Sequence, residues 1–322
     1  MYKRILVLVL IAFSAAVASG DNPRNIATFS IVAADPEAGE VGVAVASRFF
    51  TVGNVVPWAD AGVGAVATQA YANTSFGWKG LDMLDMGLTP EEVMEVLVRN
   101  DEGSARRQFG IVDSSGNSVT FTGDSCSAWA GGRAGVNYAV QGNILAGEEV
   151  VIEMERAFLE SEGSLADRMY AALLAGEAAG GDSRGKQSAA ILVAKDGAGY
   201  GGFTDRAIDI RVDDHEEPFK ELGRLLNIGQ MNYAWNEAWT LFTQEMYQEA
   251  LPHMERTAQL APEYPEVLYD LAVIRLAAGD QDGALKALGK ALELNSNLKT
   301  QARNDSDLAK LAGKPEFEEM VK

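Results

Sequence analysis

The chain has 322 residues, 47% hydrophobic and 23% charged, which is enough apolar material for one large core or two medium ones and excludes a disordered or collagen-like polypeptide. Asp and Glu number 46 against 27 Lys and Arg, for a formal charge of −19; so acidic a surface repels phosphate backbones and anionic lipid, so no nucleic-acid partner is expected. The single cysteine, Cys126, excludes an internal disulfide and a multi-cysteine metal site, and two histidines, His215 and His253, are too few for a His-rich one. No metal and no cofactor are expected, and any chemistry falls to hydroxyls, carboxylates, amides or an amino group.

Residues 1–20 read as an export signal, with Lys3 and Arg4 at the start, an apolar run from Ile5, and Ala16-Val17-Ala18 as a small-residue cleavage site. The run from Ile5 to Ala18 falls short of the roughly 20 residues a bilayer requires. The expectation is an exported protein, periplasmic or extracellular, with no stable membrane insertion once the signal is removed.

Residues 27–215 are strand-like and punctuated by glycine. Thr28–Ala33 and Glu40–Ser47 are apolar runs separated by Asp35-Pro36-Glu37-Ala38-Gly39, which predicts a hairpin. A third strand is expected over Ala61–Ala70 and helices over Thr74–Met86 and Thr89–Val98. In the latter, Thr89-Pro90-Glu91-Glu92 reads as a capping box with proline at the first helical position. Strands follow at Gln108–Val112, Ser118–Thr122 and Tyr138–Val140, then helices at Glu148–Glu160 and Leu165–Gly176, then a strand at Ser188–Lys195. Paired hairpins with paired helices suggest an α+β domain of two stacked sheets with helices outside.

Residues 216–322 are helical and self-similar. A shift of 34 places Ala238 on Ala272, Ala250 on Ala284, Leu251 on Leu285, Met254 on Leu288 and Leu260 on Leu294, a pattern that resembles the tetratricopeptide repeat. Pro265–Asn295 is the better copy, Asn232–Pro262 the weaker, and Asn304–Val321 a closing segment. Such repeats imply a peptide or protein partner, for which the acidic surface suggests a basic one.

Two amides at strand ends, Gln69 and Asn143, are candidate donors to an oxyanion, and Arg184 is a candidate ligand for a substrate carboxylate or a counter-charge for Asp182. Thr28–Ala33 followed by Gly42–Arg48 resembles the opening hairpin of N-terminal-nucleophile hydrolases, proteasome β-subunits among them. Five segments in order resemble the domain-of-unknown-function 1028 family more closely: Thr28–Ala33, Val43–Arg48, Val55–Gln69, Gly180–Ala190 and Arg211–His215. The resemblance implies a four-layer αββα sandwich, a homo-oligomer, and a catalytic group of Thr28, Ser47, Asp182 and Ser188, with Arg48 beside it. Asp182 would orient a threonine amine and Ser188 would pass protons. Where the proteasome pattern carries an aspartate this chain has Ala46, and no lysine lies between Arg48 and Lys79.

A hydroxyl needs a base beside it to attack a carbonyl. If Thr28 becomes the first residue, its own α-amine supplies one, since a pKa near 8 leaves roughly a tenth of it neutral at pH 7. The expected function is therefore an exported amidohydrolase acting on a small amide or a peptide. A second reading is a catalytically silent binding or scaffold protein, which the Ala46 and lysine departures favour.

Overall fold

The opening hairpin forms around its turn. The computed structural model describes residues 28–322, in which Thr28–Asp35 (β1) and Glu40–Ser47 (β2) pair antiparallel from Thr28↔Ser47 to Asp35↔Glu40. Asp35 Oδ1 accepts from the Ala38 amide at 3.1 Å, and Gly39 takes φ 69°, a left-handed value that glycine reaches without a Cβ clash. The export signal and the residues immediately before Thr28 lie outside the described residues.

Two antiparallel sheets make up the first part of the chain. The six-stranded sheet adds Gly131–Gly135 (β7), Tyr138–Asn143 (β8), Ser188–Ala194 (β9) and Arg206–Val212 (β10), in the order β10-β9-β2-β1-β8-β7. The four-stranded sheet is Pro57–Asp60 (β3), Gly64–Ala70 (β4), Arg107–Asp113 (β5) and Ser118–Thr122 (β6), in chain order.

Side chains alternate along a strand, so each central strand feeds two cores. Phe29 and Ile31 pack outward against Met154 and Phe158 of Glu149–Glu160 (α3) and Met169 and Leu173 of Leu165–Ala178 (α4). Val32, Val43 and Val45 pack inward against Ala65, Ala67 and Val112 of the other sheet. The far face of that sheet, with Val66, Phe109 and Ile111, is covered by Ser75–Asp85 (α1) and Pro90–Arg99 (α2). The capping box is present: Thr89 Oγ1 accepts from the Glu92 amide at 3.3 Å, and Glu92 Oε2 accepts from the Thr89 amide at 2.9 Å.

Three strands go beyond the sequence reading. The strand expected over Ala61–Ala70 is shortened to β4, which starts at Gly64: Ala61–Val63 turns with Gly62 at φ 72°, and β3 precedes that turn. β7 is nearly all small residues and carries no apolar alternation. β10 is an edge strand whose exposed charged positions break its apolar run. All three owe their strand state to a neighbour that supplies the ladder.

The remaining helices are Pro218–Thr243 (α5), Tyr247–Leu260 (α6), Pro265–Ala277 (α7), Gln281–Leu294 (α8), Leu298–Asn304 (α9) and Pro315–Met320 (α10). Ala238, Ala272, Ala250, Ala284, Met254 and Leu288, matched by the 34-residue shift, are all fully buried in one helical core. Small residues at these positions let paired helices approach closely. The last pair of the alignment is less equal: Leu260 is half-buried and Leu294 exposed, because no further repeat stacks there. The closing segment fills that end with Leu308, Leu311 and Phe317. α5 serves both parts of the chain, with Phe219, Leu222 and Leu226 in the core beside the six-stranded sheet and Met231 and Ala238 in the helical core.

Candidate functional site

Strand register assembles the site. Thr28 pairs with Ser47 on one side and Asn143 on the other, and Ser47 pairs in turn with Ser188, so the four residues form one row across β9, β2, β1 and β8. Alternation turns all four toward the space between the sheets, the face shared by Val32, Val45, Ala139 and Ala190. At a ladder spacing of about 4.8 Å, Thr28 and Ser188 stand two steps, or roughly 10 Å, apart. The Thr28 hydroxyl donates to Ser47 Oγ at 3.2 Å. The Ser188 hydroxyl donates to the Phe49 carbonyl at 2.5 Å and accepts from the Val52 amide at 3.2 Å, which ties down the loop that follows β2. Thr51 in that loop sits at φ 52°, a left-handed conformation that is unusual for a β-branched residue.

Asp182 is buried and its two oxygens are well occupied. Oδ2 accepts from the Arg48 amide at 2.8 Å and from Arg184 Nη2 at 2.9 Å, and Oδ1 accepts from the Arg184 amide at 2.9 Å and Nε at 3.1 Å. The structure thus brings Asp182 to the Ser47–Arg48 corner and makes Arg184 its counter-charge.

The two candidate oxyanion donors belong to a buried polar layer. Gln69 Nε2 faces three acceptors, Gln108 Oε1 at 2.9 Å and the Thr28 and Gln141 carbonyls at 3.3 Å each, and its Oε1 accepts from the Ser30 hydroxyl at 2.7 Å. Its amide hydrogens are spent bracing the two sheets. Asn143 Nδ2 gives one hydrogen to Gln108 Oε1 at 2.9 Å and carries a second. Ser30, Gln108 and Gln141 are central to this layer and were not singled out from sequence. Their signal was there: a polar residue on the inward position of an otherwise apolar strand, as in Thr28-x-Ser30 and Gln141-x-Asn143.

Outside the row, a surface cavity of about 630 Å³ is lined by Arg48, Lys186, Gln187, Asp214, His215 and Glu216. Arg48 directly follows Ser47 and Gln187 directly precedes Ser188, so the cavity is lined by chain neighbours of the row and by none of its members. A second cavity of about 410 Å³ lies between α1 and α2, behind the four-stranded sheet and away from the hydroxyls. Asp213, Asp214 and His215 face separate partners, respectively the Thr51 hydroxyl, Gln187 Nε2 and the Glu217 amide. Among the described residues no group of three or more His, Cys, Asp or Glu could hold a metal ion, and no helix is long and apolar enough to cross a membrane. Burial pushes the Cys126 thiol pKa up, which favours its protonated form.

Comparison with known proteins bears on both parts. The model of DUF1028, a family of unknown function, matches residues 28–222, and a tetratricopeptide-repeat model matches residues 241–312. The crystal structure of a DUF1028 protein from Silicibacter pomeroyi superposes with a TM-score of 0.60 at 32% identity, over 65% of this chain and 90% of that one. No curated protein matches the chain.

Proposed function

We propose that this chain, which belongs to the DUF1028 family of unknown function, is an exported amide hydrolase whose nucleophile is Thr28 at a newly made N-terminus. One observation carries the reading: register sets Thr28, Ser47, Ser188 and Asn143 in a single row between the sheets, with the Asp182 carboxylate anchored at its corner. On this reading the paired sheets and their covering helices are a four-layer αββα sandwich of the N-terminal-nucleophile type, and residues 27–215 and 216–322 divide catalysis from recognition.

The chemistry needs only groups on this chain. The freed α-amine of Thr28 takes the proton from Oγ1, and Oγ1 attacks the amide carbonyl carbon. The second Asn143 amide hydrogen stabilises the oxyanion. The C–N bond then breaks as the amine proton passes to the leaving nitrogen, and water, deprotonated by the same amine, releases the acyl group. Ser47 orients the hydroxyl, to which it is 3.2 Å away. Asp182 and Ser188, whose hydrogen bonds are taken up by Arg48, Arg184, Phe49 and Val52, act by positioning the loops around the nucleophile. The helical repeats recognise a protein or peptide partner.

The test is the N-terminus of exported protein, read by intact mass and Edman degradation. A chain starting at Thr28 is expected, with amide turnover lost in Thr28→Ala. Material that retains Ala27 would refute the mechanism. The internal hydrogen bonding of Asp182 and Ser188, together with Ala46, favours the second reading of a silent binding protein. That reading predicts that Thr28→Ala fully complements a deletion strain.

A further inference from the structure

Arg48 and Arg184, 136 residues apart, clasp each other through their backbones. Arg48 Nη1 donates to the Arg184 carbonyl at 3.2 Å, and Arg184 Nη2 donates to the Arg48 carbonyl at 3.1 Å. Gly185, at φ 106°, permits the approach; a Cβ there would stand 3.2 Å from Arg48 Nη1. Arg184 pairs with the buried Asp182 carboxylate at 2.9 Å, while Arg48 reaches that carboxylate only through its backbone amide. Arg48 makes no ion pair among the described residues, and its Nε and Nη2 make no other hydrogen bond among them. A guanidinium without an ion pair stands out on a chain of charge −19.

Its position gives the charge a use. Arg48 lines the cavity of about 630 Å³, and the Gln187 backbone amide of the same wall donates to the Ser47 carbonyl at 3.1 Å, so the wall and the row are neighbours along the backbone. Lys186 is engaged by Glu217 at 2.7 Å, which leaves Arg48 as the cation open to a ligand. Asp214 and Glu216 in the same lining would repel a multiply charged phosphate while tolerating a singly charged group held by a planar guanidinium fork.

We propose that Arg48 binds a carboxylate at the far end of the substrate's acyl group, so that the substrate is the monoamide of a short dicarboxylic acid. This rests on Thr28 being the acyl acceptor. Thr28 pairs with Ser47, so the Arg48 backbone lies one ladder step and one residue from the nucleophile, and a spacer of a few carbons is proposed for that short span.

Isothermal titration of the full chain tests this with levulinate, which carries a ketone where the amide carbonyl would lie and a carboxylate two carbons on. The neutral counterpart is 2-pentanone, and inorganic phosphate is the anion control. Levulinate is expected to bind at least tenfold tighter than 2-pentanone. Arg48→Gln should erase that difference and Arg48→Lys should keep part of it, with circular dichroism showing that both variants keep the native fold. No detectable levulinate binding, equal affinity for levulinate and 2-pentanone, unchanged levulinate binding in Arg48→Gln, or phosphate binding as tight as levulinate would each overturn the proposal. The two readings fail separately. Arg48-dependent levulinate binding in protein that retains Ala27 removes the Thr28 chemistry and keeps the carboxylate site. Turnover of neutral amides that ignores Arg48 does the reverse.

Discussion

Replacing Gln108 with leucine is the sharpest probe of how the two sheets are held together. Gln108 is fully buried on β5, and its amide reaches across to the other sheet. Oε1 accepts from Gln69 Nε2 and Asn143 Nδ2, both at 2.9 Å, while Nε2 donates to the Gly142 carbonyl at 2.7 Å, Thr122 Oγ1 at 2.9 Å and the Gly131 carbonyl at 3.2 Å. Leucine has a similar volume and neither function. Gln69 keeps the Thr28 and Gln141 carbonyls as acceptors, and half-buried Thr122 can turn to water, but Asn143 loses the Gln108 acceptor and the Gly142 carbonyl its shortest side-chain donor. An orphaned buried donor costs about 1–3 kcal/mol and a weakened acceptor adds part of that again, so Gln108→Leu should lose about 2–4 kcal/mol. Urea unfolding followed by circular dichroism gives the midpoint shift, with an unchanged slope showing that the native fold persists. Adding Asn143→Leu should recover part of the loss, because removing both partners leaves fewer orphans than removing one. A loss under about 1 kcal/mol, or a double variant worse than the sum of the singles, would refute the reasoning.

Burial raises the pKa of Glu40 above the ordinary carboxylate range, with Lys195 and Tyr233 opposing. The folded state therefore holds this proton more tightly than the unfolded one, so stability falls as pH rises from the ordinary carboxylate value through the raised one. Glu40→Gln should flatten that stretch of the profile and be the more stable protein at pH 7; urea midpoints at pH 5 and pH 7 measure it. In the repeats, fully buried Leu288→Ala should cost about 2–5 kcal/mol, whereas Leu294→Ala, at 42% exposure, should cost well under half of that; thermal unfolding compares them. Thr89→Ala removes one arm of the capping box and should cost about 0.5–2 kcal/mol by urea denaturation, a loss that Thr89→Ser restores.

The members of the candidate row could be listed from sequence, though their arrangement could not. Register puts Thr28, Ser47 and Ser188 in one row and Asp182 at its Ser47–Arg48 corner, with Thr28 and Ser188 two ladder steps apart. What each does there depends on partners far away in the chain: Ser188 on Phe49 and Val52, Asp182 on Arg48 and Arg184. Gln69, read as a donor to substrate, is spent on a bridge to residues 39 and 72 positions away. A glutamine at a strand end looks alike in both roles, and the choice between them depends on what the facing strand presents.

The hairpin turn, the capping box and the 34-residue repeat were set by the sequence alone. Each arises from neighbours within a turn of backbone or from a period that any stretch of text displays. β7, the pairing of Arg48 with Arg184, and the sharing of α5 between two cores were decided only when the chain closed on itself. A ladder partner, a counter-charge and a packing face are properties of two segments at once. Their match is fixed by strand register and sheet stacking, which draw on the apolar surface of the whole domain.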